Sequence, residues 1–215
     1  MSFNPPPSGK AVGDAYASDP AKPVPYLPRP VRFADGDAWR RWLVTDQRLI
    51  ADRPDVLTYE TEPLTAPVRI SGAPIADLHA TITGTDVDWV VKLIDVYPDQ
   101  VASKPEMGGY QLPVSIDIFR GRYRKSFEHP TPIAAGKPER YRFALPTTNH
   151  VFLPGHRIMV QVQSSLFPLY DRNPQTYVDN IFFAKPADYK KATIKVFDAG
   201  PGSSFVELPV VRPAP

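Results

Sequence analysis

Cysteine is missing from all 215 residues. That excludes disulfides, zinc–thiolate sites, iron–sulfur clusters and thiol nucleophiles. Charge of one sign is also missing. Lys and Arg number 25 against 23 Asp and Glu, a net of +2, so no nucleic-acid partner is expected. No run of about 18 apolar residues occurs, and no membrane-crossing helix is expected. Met1–Pro7 has neither a basic start nor an apolar stretch, so it does not read as a signal peptide. None of the twelve glycines stands in a Gly-x-Ser-x-Gly frame, the strained turn that α/β serine hydrolases need. The compartment, periplasmic or cytoplasmic, stays open.

Proline is abundant. Its 27 residues far exceed the usual ~5% share and leave little room for long helices. Hydrophobic residues make up 42% and charged residues 22%, enough apolar material for a core. Prolines at 5, 6, 7, 20, 23, 25, 28 and 30 predict an extended strap, anchored by Tyr26, Leu27, Val31 and Phe33. Trp39, Trp42 and Leu43 stand at helical spacing and predict one short helix, Asp37 to Ile50.

From Val56 the pattern turns to strands: Val56–Thr61, Val68–Ser71, Ile75–Thr83, Trp89–Tyr97, Leu112–Phe127, Arg140–Leu145, His156–Ser165, Thr193–Phe197 and Phe205–Val210. Strands without intervening helices mean an all-β sandwich or barrel. The expectation is one structural domain, with strap and helix over 1–55 packed on a sandwich over 56–215. Trp89–Tyr97 is apolar on both sides, which calls for a second layer beyond its own core. Leu112, Val114, Ile116 and Ile118 lie on even positions but Phe119 and Tyr123 on odd ones. That change of parity predicts a bulge near Arg120-Gly121.

Few residues suggest chemistry. His156 and Ser164 would be roughly 26 Å apart along one strand, so with Asp171 they make no triad, and no catalytic residue is expected. His150 and His156 flank a Pro154-Gly155 turn and could approach across it to share a metal, but a third zinc ligand is not evident. Asp86, Asp88, Asp95 and Asp99 suggest at most a structural calcium, and Asp side chains bonding their own loop are the plainer reading. No cofactor is otherwise expected. Arg120, Arg122 and Arg124 form a row suited to acidic neighbours. Tyr170-Asp171-Arg172-Asn173-Pro174 reads as a polar turn, in which Asp171 and Asn173 accept backbone bonds and Arg172 makes a buried ion pair.

Four stretches taken together point further: "GTDVDWVVKLIDVYPD" (84–99), "FRGRYRKSFE" (119–128), "PGHRIMVQVQSSLFPLYDRNPQT" (154–176) and "NIFFAKPADYKKAT" (180–193). With the lead over 18–48, they resemble the C-terminal β-sandwich of the α-amino-acid ester hydrolase and glutaryl-acylase group. That group lies in the cocaine esterase and X-Pro dipeptidyl-peptidase superfamily of serine hydrolases. The resemblance implies a jelly roll that packs on an α/β-hydrolase catalytic domain and helps wall its pocket. The triad, oxyanion hole and amine-binding carboxylates would lie in that other domain. Trp89, Tyr97, Tyr110, Arg122, Tyr170, Asp171, Arg172 and Asn173 are the candidate interface or pocket-wall residues. Two departures stand out. A histidine the group carries before its final strand is replaced within Pro201-Gly202-Ser203-Ser204-Phe205. The group's sandwich also has an apolar strand ahead of Ser2, which would make Met1 a cut point and leave an edge free for self-association. The competing reading is a stand-alone carbohydrate- or ligand-binding sandwich, stacking sugars on Trp89, Tyr97, Tyr110 and Tyr123.

Overall fold

The computed structural model describes residues 1, 3, 11–27 and 41–211. Two antiparallel sheets face each other across an apolar core. In one, β1 (Val12–Ser18) pairs with β10 (Ala192–Ala199), and β10 pairs with β4 (Ile75–Ile82). β11 (Phe205–Glu207) continues along β4, and β7 (Glu139–Ala144) lies on the other side of β4. The second sheet runs β2 (Leu57–Glu60), β9 (Arg157–Gln163), β5 (Asp88–Val96), β6 (Gln111–Arg120). A two-stranded ribbon joins β3 (Val68–Gly72) to β8 (Thr148–Phe152). The arrangement is the expected all-β, jelly-roll type of sandwich. No helix among the described residues is long and apolar enough to cross a membrane.

β5 explains the architecture best. Every one of its residues but Val96 is buried. Trp89, Val91 and Leu93 enter the inner core with Leu78, Ile82, Tyr141, Ile158, Val160 and Ile194. On its other side Val90 packs with Tyr26 and Leu166. The chain itself therefore supplies the second layer that β5 calls for. Val24 N–H donates to Ser165 Oγ at 2.8 Å, and Tyr26 N–H to the Phe167 carbonyl at 3.0 Å. Val24 then meets Ile50 and Val56.

Four local expectations need correction. The lead is not all strap: Val12–Ser18 is proline-free and forms β1, with seven residues in register against β10. The predicted helix is broken. Trp39 and residues 37–40 lie outside the described residues, and Trp42–Val44 is a single 3-10 turn followed by an extended Thr45. A four-residue helix, α1 (Arg48–Ala51), follows. Tertiary pairing breaks the helix, because Gln47 N–H donates to the Gln111 carbonyl at 3.1 Å and Asp46 Oδ1 accepts Gln111 N–H. Trp42 turns toward Tyr26, edge to face at 6.2 Å, while Leu43 is left 54% exposed. β8 was not anticipated from the sequence.

The predicted bulge also lies elsewhere. Leu93 pairs with Ser115 and Ile94 with Pro113, so Val114 is the extra residue. Val114 packs on the inner core and Ser115 is buried beside it, whereas Ile116 and Ile118 join the outer cluster. At Arg120-Gly121 the strand ends in a 3-10 turn. A Cβ at Gly121 would sit 2.9 Å from Val87 Cγ1, so the turn needs glycine there. Pro113, the bulge and Asp117, whose Oδ1 accepts Ile118 N–H at 2.7 Å, make β6 a poor template for another strand.

Candidate functional site: two loop ends and an outer face

The residues that could have formed a triad are committed elsewhere. Ser164 Oγ bonds the Tyr16 hydroxyl at 2.7 Å, Asp171 accepts from Arg120 at 3.0 Å, and His156 Nδ1 bonds Asp95 Oδ1 at 2.7 Å. His150 Nε2 takes the other oxygen of Asp95 at 2.8 Å. The two histidines do converge across their turn, where Gly155 has φ +82° and His156 N–H donates to the Leu153 carbonyl. What they share is a buried carboxylate. Asp95 thereby clasps the β8–β9 connection to the end of β5. Among the described residues no group of three or more His, Asp or Glu is placed to hold a metal ion.

Opposite charges fill the other end of β5. Arg122 is buried and bonds Asp86 Oδ2 through Nε at 2.8 Å and Nη2 at 2.6 Å. Its Nη1 reaches the Val178 carbonyl at 2.8 Å, and its guanidinium lies 4.6 Å from the centre of the Tyr177 ring. Arg120 spans Asp88 and Asp171 at 3.2 and 3.0 Å. Arg124 pairs with Glu139. The arginine row thus meets acidic neighbours, as its spacing suggests. Asn173 Nδ2 donates to Asp88 Oδ1 at 2.8 Å and its Oδ1 accepts Gln175 N–H at 2.7 Å. Three of the four carboxylates weighed for calcium are therefore engaged by other side chains: Asp86 by Arg122, Asp88 by Arg120 and Asn173, Asp95 by two imidazoles. Burial pushes the Asp88 carboxyl up to about 7, against the opposing pull of Arg120 and Asn173.

The eight candidate wall residues fall into separate places. Trp89 has no exposed surface and packs its ring 4.9 Å from Tyr141 in the core. A buried indole can neither line a surface pocket nor stack on a sugar. Tyr97 and Tyr110 sit together at the Asp95 end, centroids 6.3 Å apart, with Tyr97 4.5 Å from His156. Arg122 and Asn173 are buried at the opposite end. Asp171 stands there with Arg120, and Arg172 makes no ion pair among the described residues. Instead it donates to the Pro20 carbonyl at 2.9 Å and lies over Phe167 and Tyr189. Asp171 accepts a guanidinium bond where a backbone bond was expected. Tyr170 alone of the eight stands in the exposed class.

Tyr170 belongs to a feature that sequence reasoning located only in part. Around β6 the outer sheet face carries Ile116 and Ile118, half-buried, with Leu27, Trp42 and Leu169, against Tyr26, Val90 and Leu166. Leu43 and Val44 lead on from Trp42 and are both exposed. The signal was present in the even-numbered run of β6, but the bulge at Val114 turns that run outward. A second apolar group, Phe182 and Phe183, was quoted in the sequence without being singled out. Within the outer layer, Lys92 is buried with Nζ 2.7 Å from Gln47 Oε1, and burial pushes its ammonium down to about 7.

Comparison with known proteins agrees with the all-β sandwich. Residues 4–205 match the family described as the X-Pro dipeptidyl-peptidase C-terminal non-catalytic domain. Cocaine esterase of Rhodococcus sp. (strain MB1 Bresler) is 44% identical over 206 residues, which is 95% of this chain and 33% of the esterase. A solved α-amino acid ester hydrolase labelled with selenomethionine superposes with a TM-score of 0.95 at 62% identity, covering 98% of this chain and 34% of the hydrolase. An aminopeptidase from the marine sediment archaeon Thaumarchaeota archaeon gives 0.94 at 52% identity, with the same coverage. The chain spans about a third of the length of these relatives. It belongs to the X-Pro dipeptidyl-peptidase C-terminal non-catalytic domain family.

Proposed function

We propose that the chain is the accessory sandwich of a longer serine hydrolase and docks on that enzyme's α/β-hydrolase catalytic domain through the outer face of β6. The observation that carries this reading is the apolar surface of Trp42–Val44, Ile116, Ile118, Leu169 and Tyr170. A domain that works alone gains nothing by presenting Leu43 and Val44 to water, while a covered face recovers roughly 25 cal/mol per Å² of apolar area. In this scheme the reaction runs in the catalytic domain. A serine attacks the ester or amide carbonyl, a histidine takes its proton, and an acyl-enzyme is hydrolysed by water. Substrates would carry an α-amino acyl group. No cofactor enters that chemistry. The sandwich supplies rigidity and part of the pocket wall, with Tyr170 as its exposed aromatic.

Leu43→Glu tests the docking. The side chain is exposed, so the 215-residue chain should keep its midpoint of thermal unfolding. The full-length hydrolase should lose several degrees and most of its ester turnover, because a carboxylate would be buried at the seam. Unchanged stability and turnover in the full-length enzyme would remove the β6 face from the interface.

A further inference from the structure

Phe182 and Phe183 are 77% and 82% exposed, on successive residues of the connection from β9 to β10. The turn that holds them is firmly built. Ile181 is buried beneath them. Asn180 caps the turn: its Oδ1 accepts Phe182 N–H at 3.0 Å and its carbonyl accepts Phe183 N–H at 3.1 Å. A second turn follows directly, and Asp188 Oδ2 fastens it by accepting Lys185 N–H at 2.7 Å. Upstream, Arg122 ties the connection to the β6–β7 loop through the Val178 carbonyl and the Tyr177 ring. Both rings are thus held out by hydrogen-bonded backbone, an ordering whose entropy is already spent before any partner arrives. Lys185 and Lys190 follow them along the chain and Asp179 precedes them, all three exposed and without an ion pair among the described residues.

We infer that Phe182 and Phe183 form a second docking point, filled by an apolar recess on the remainder of the same polypeptide. This deepens the proposed function and rests on it. The occupant follows from length. The same sandwich, at TM-scores of 0.95 and 0.94, makes up only 34% of each of two solved chains, so a body twice its size is tethered to it there. A tethered partner sits at high effective concentration and needs only a small anchor. Aromatic anchors with a charged rim are what such contacts use.

The test is photocrosslinking in the full-length hydrolase. Phe182→p-benzoylphenylalanine is one variant and Tyr170→p-benzoylphenylalanine the other, each prepared as an equal mixture of light and heavy isotope chains. The expected product at position 182 is a crosslink to residues outside 1–215, carrying a single isotope label throughout. Mixed-label products would assign the pair to contacts between copies and overturn the inference. Absence of any crosslink at 182 would overturn it too. Crosslinking from 170 but not from 182 would leave the β6 face as the docking surface and remove only the second point. Silence at both positions would remove the proposed function as well.

Discussion

Two buried groups on β5 give the molecule opposite responses to pH. Asp88 has its carboxyl pushed up to about 7, so between its ordinary value near 3.8 and about 7 the folded chain holds a proton that the unfolded chain has released. Stability from this group is full at the acid end and falls as pH rises through 7. Lys92 is pushed down from 10.5 to about 7. Between those values the unfolded chain holds the extra proton, so stability rises with pH. Each slope reaches at most about 1.4 kcal/mol per pH unit. Urea unfolding at a series of pH values should give a minimum near neutrality. Asp88→Asn should flatten the limb from pH 4 to 7, and Lys92→Met the limb from 7 to 9.5. A wild-type profile without that minimum would show that neither group titrates as its burial requires.

The Asp86–Arg122 pair is a second test at this scale. Both side chains are buried and the contact is forked. Arg122→Met strands a buried carboxylate and a free Val178 carbonyl, a loss of about 3–5 kcal/mol. Asp86→Asn combined with Arg122→Met should cost less than the two single losses added together. Chemical denaturation of the three variants checks this. Simple additivity would mean that the side chains do not act as a pair. These contacts could not be read from the sequence. Arg122 stood in a row that suggested acidic partners, but which acid it meets depends on β6 ending at Arg120.

Elements were legible where period and punctuation agreed. β3, β4, β5, β7 and β9 fall within a few residues of their expected bounds, because apolar runs there end at Gly, Pro or Asp. β1 was hidden inside a proline-rich lead, although residues 8–19 contain no proline. Its pairing is with β10, far along the chain, and no local pattern announces that. β8 alternates in burial, but its sequence Thr-Asn-His-Val-Phe has no matching alternation of polar and apolar residues, since Val151 is exposed beside buried Phe152. Past Arg41 the helix breaks because the Gln111 backbone, donating to Asp46 and accepting from Gln47, outweighed helical spacing.

β1 also offers a sharp element-level test. Gly13 lies so close to β10 that a Cβ would sit 2.2 Å from the Val196 carbonyl oxygen. Gly13→Ala must push the strands apart there. Amide exchange over Ala192–Ala199 should accelerate at the positions facing β1, while β5 and β9 keep their protection. Overall stability should fall by about 1–3 kcal/mol. Unaltered exchange in β10 would contradict the β1 register.

At the scale of the whole molecule, the sandwich is complete in its inner core and incomplete in what it shows outside. The inner core draws on both sheets, and the strap closes most of the outer face of β5. Among the described residues, Leu43 and Val44 beside β6 and the Phe182-Phe183 turn stay exposed. The resemblance of four sequence blocks was enough to place the chain in its family and to expect a body without a triad. It could not say which of the eight named wall residues reach the surface. That depends on side-chain direction, which sent Trp89 inward and Arg122 into a buried ion pair.

The central claim is the proposed one, that the reaction centre lies outside these 215 residues and that they serve it. The most direct measurement is turnover of an amino-acid p-nitrophenyl ester by the purified chain and by the full-length hydrolase, each with and without a serine-directed fluorophosphonate. The expected result is background hydrolysis by the chain, unaffected by the inhibitor, and an inhibitor-sensitive rate in the full-length enzyme. An inhibitor-sensitive rate from the chain alone, with a labelled serine among its own residues, would contradict the claim.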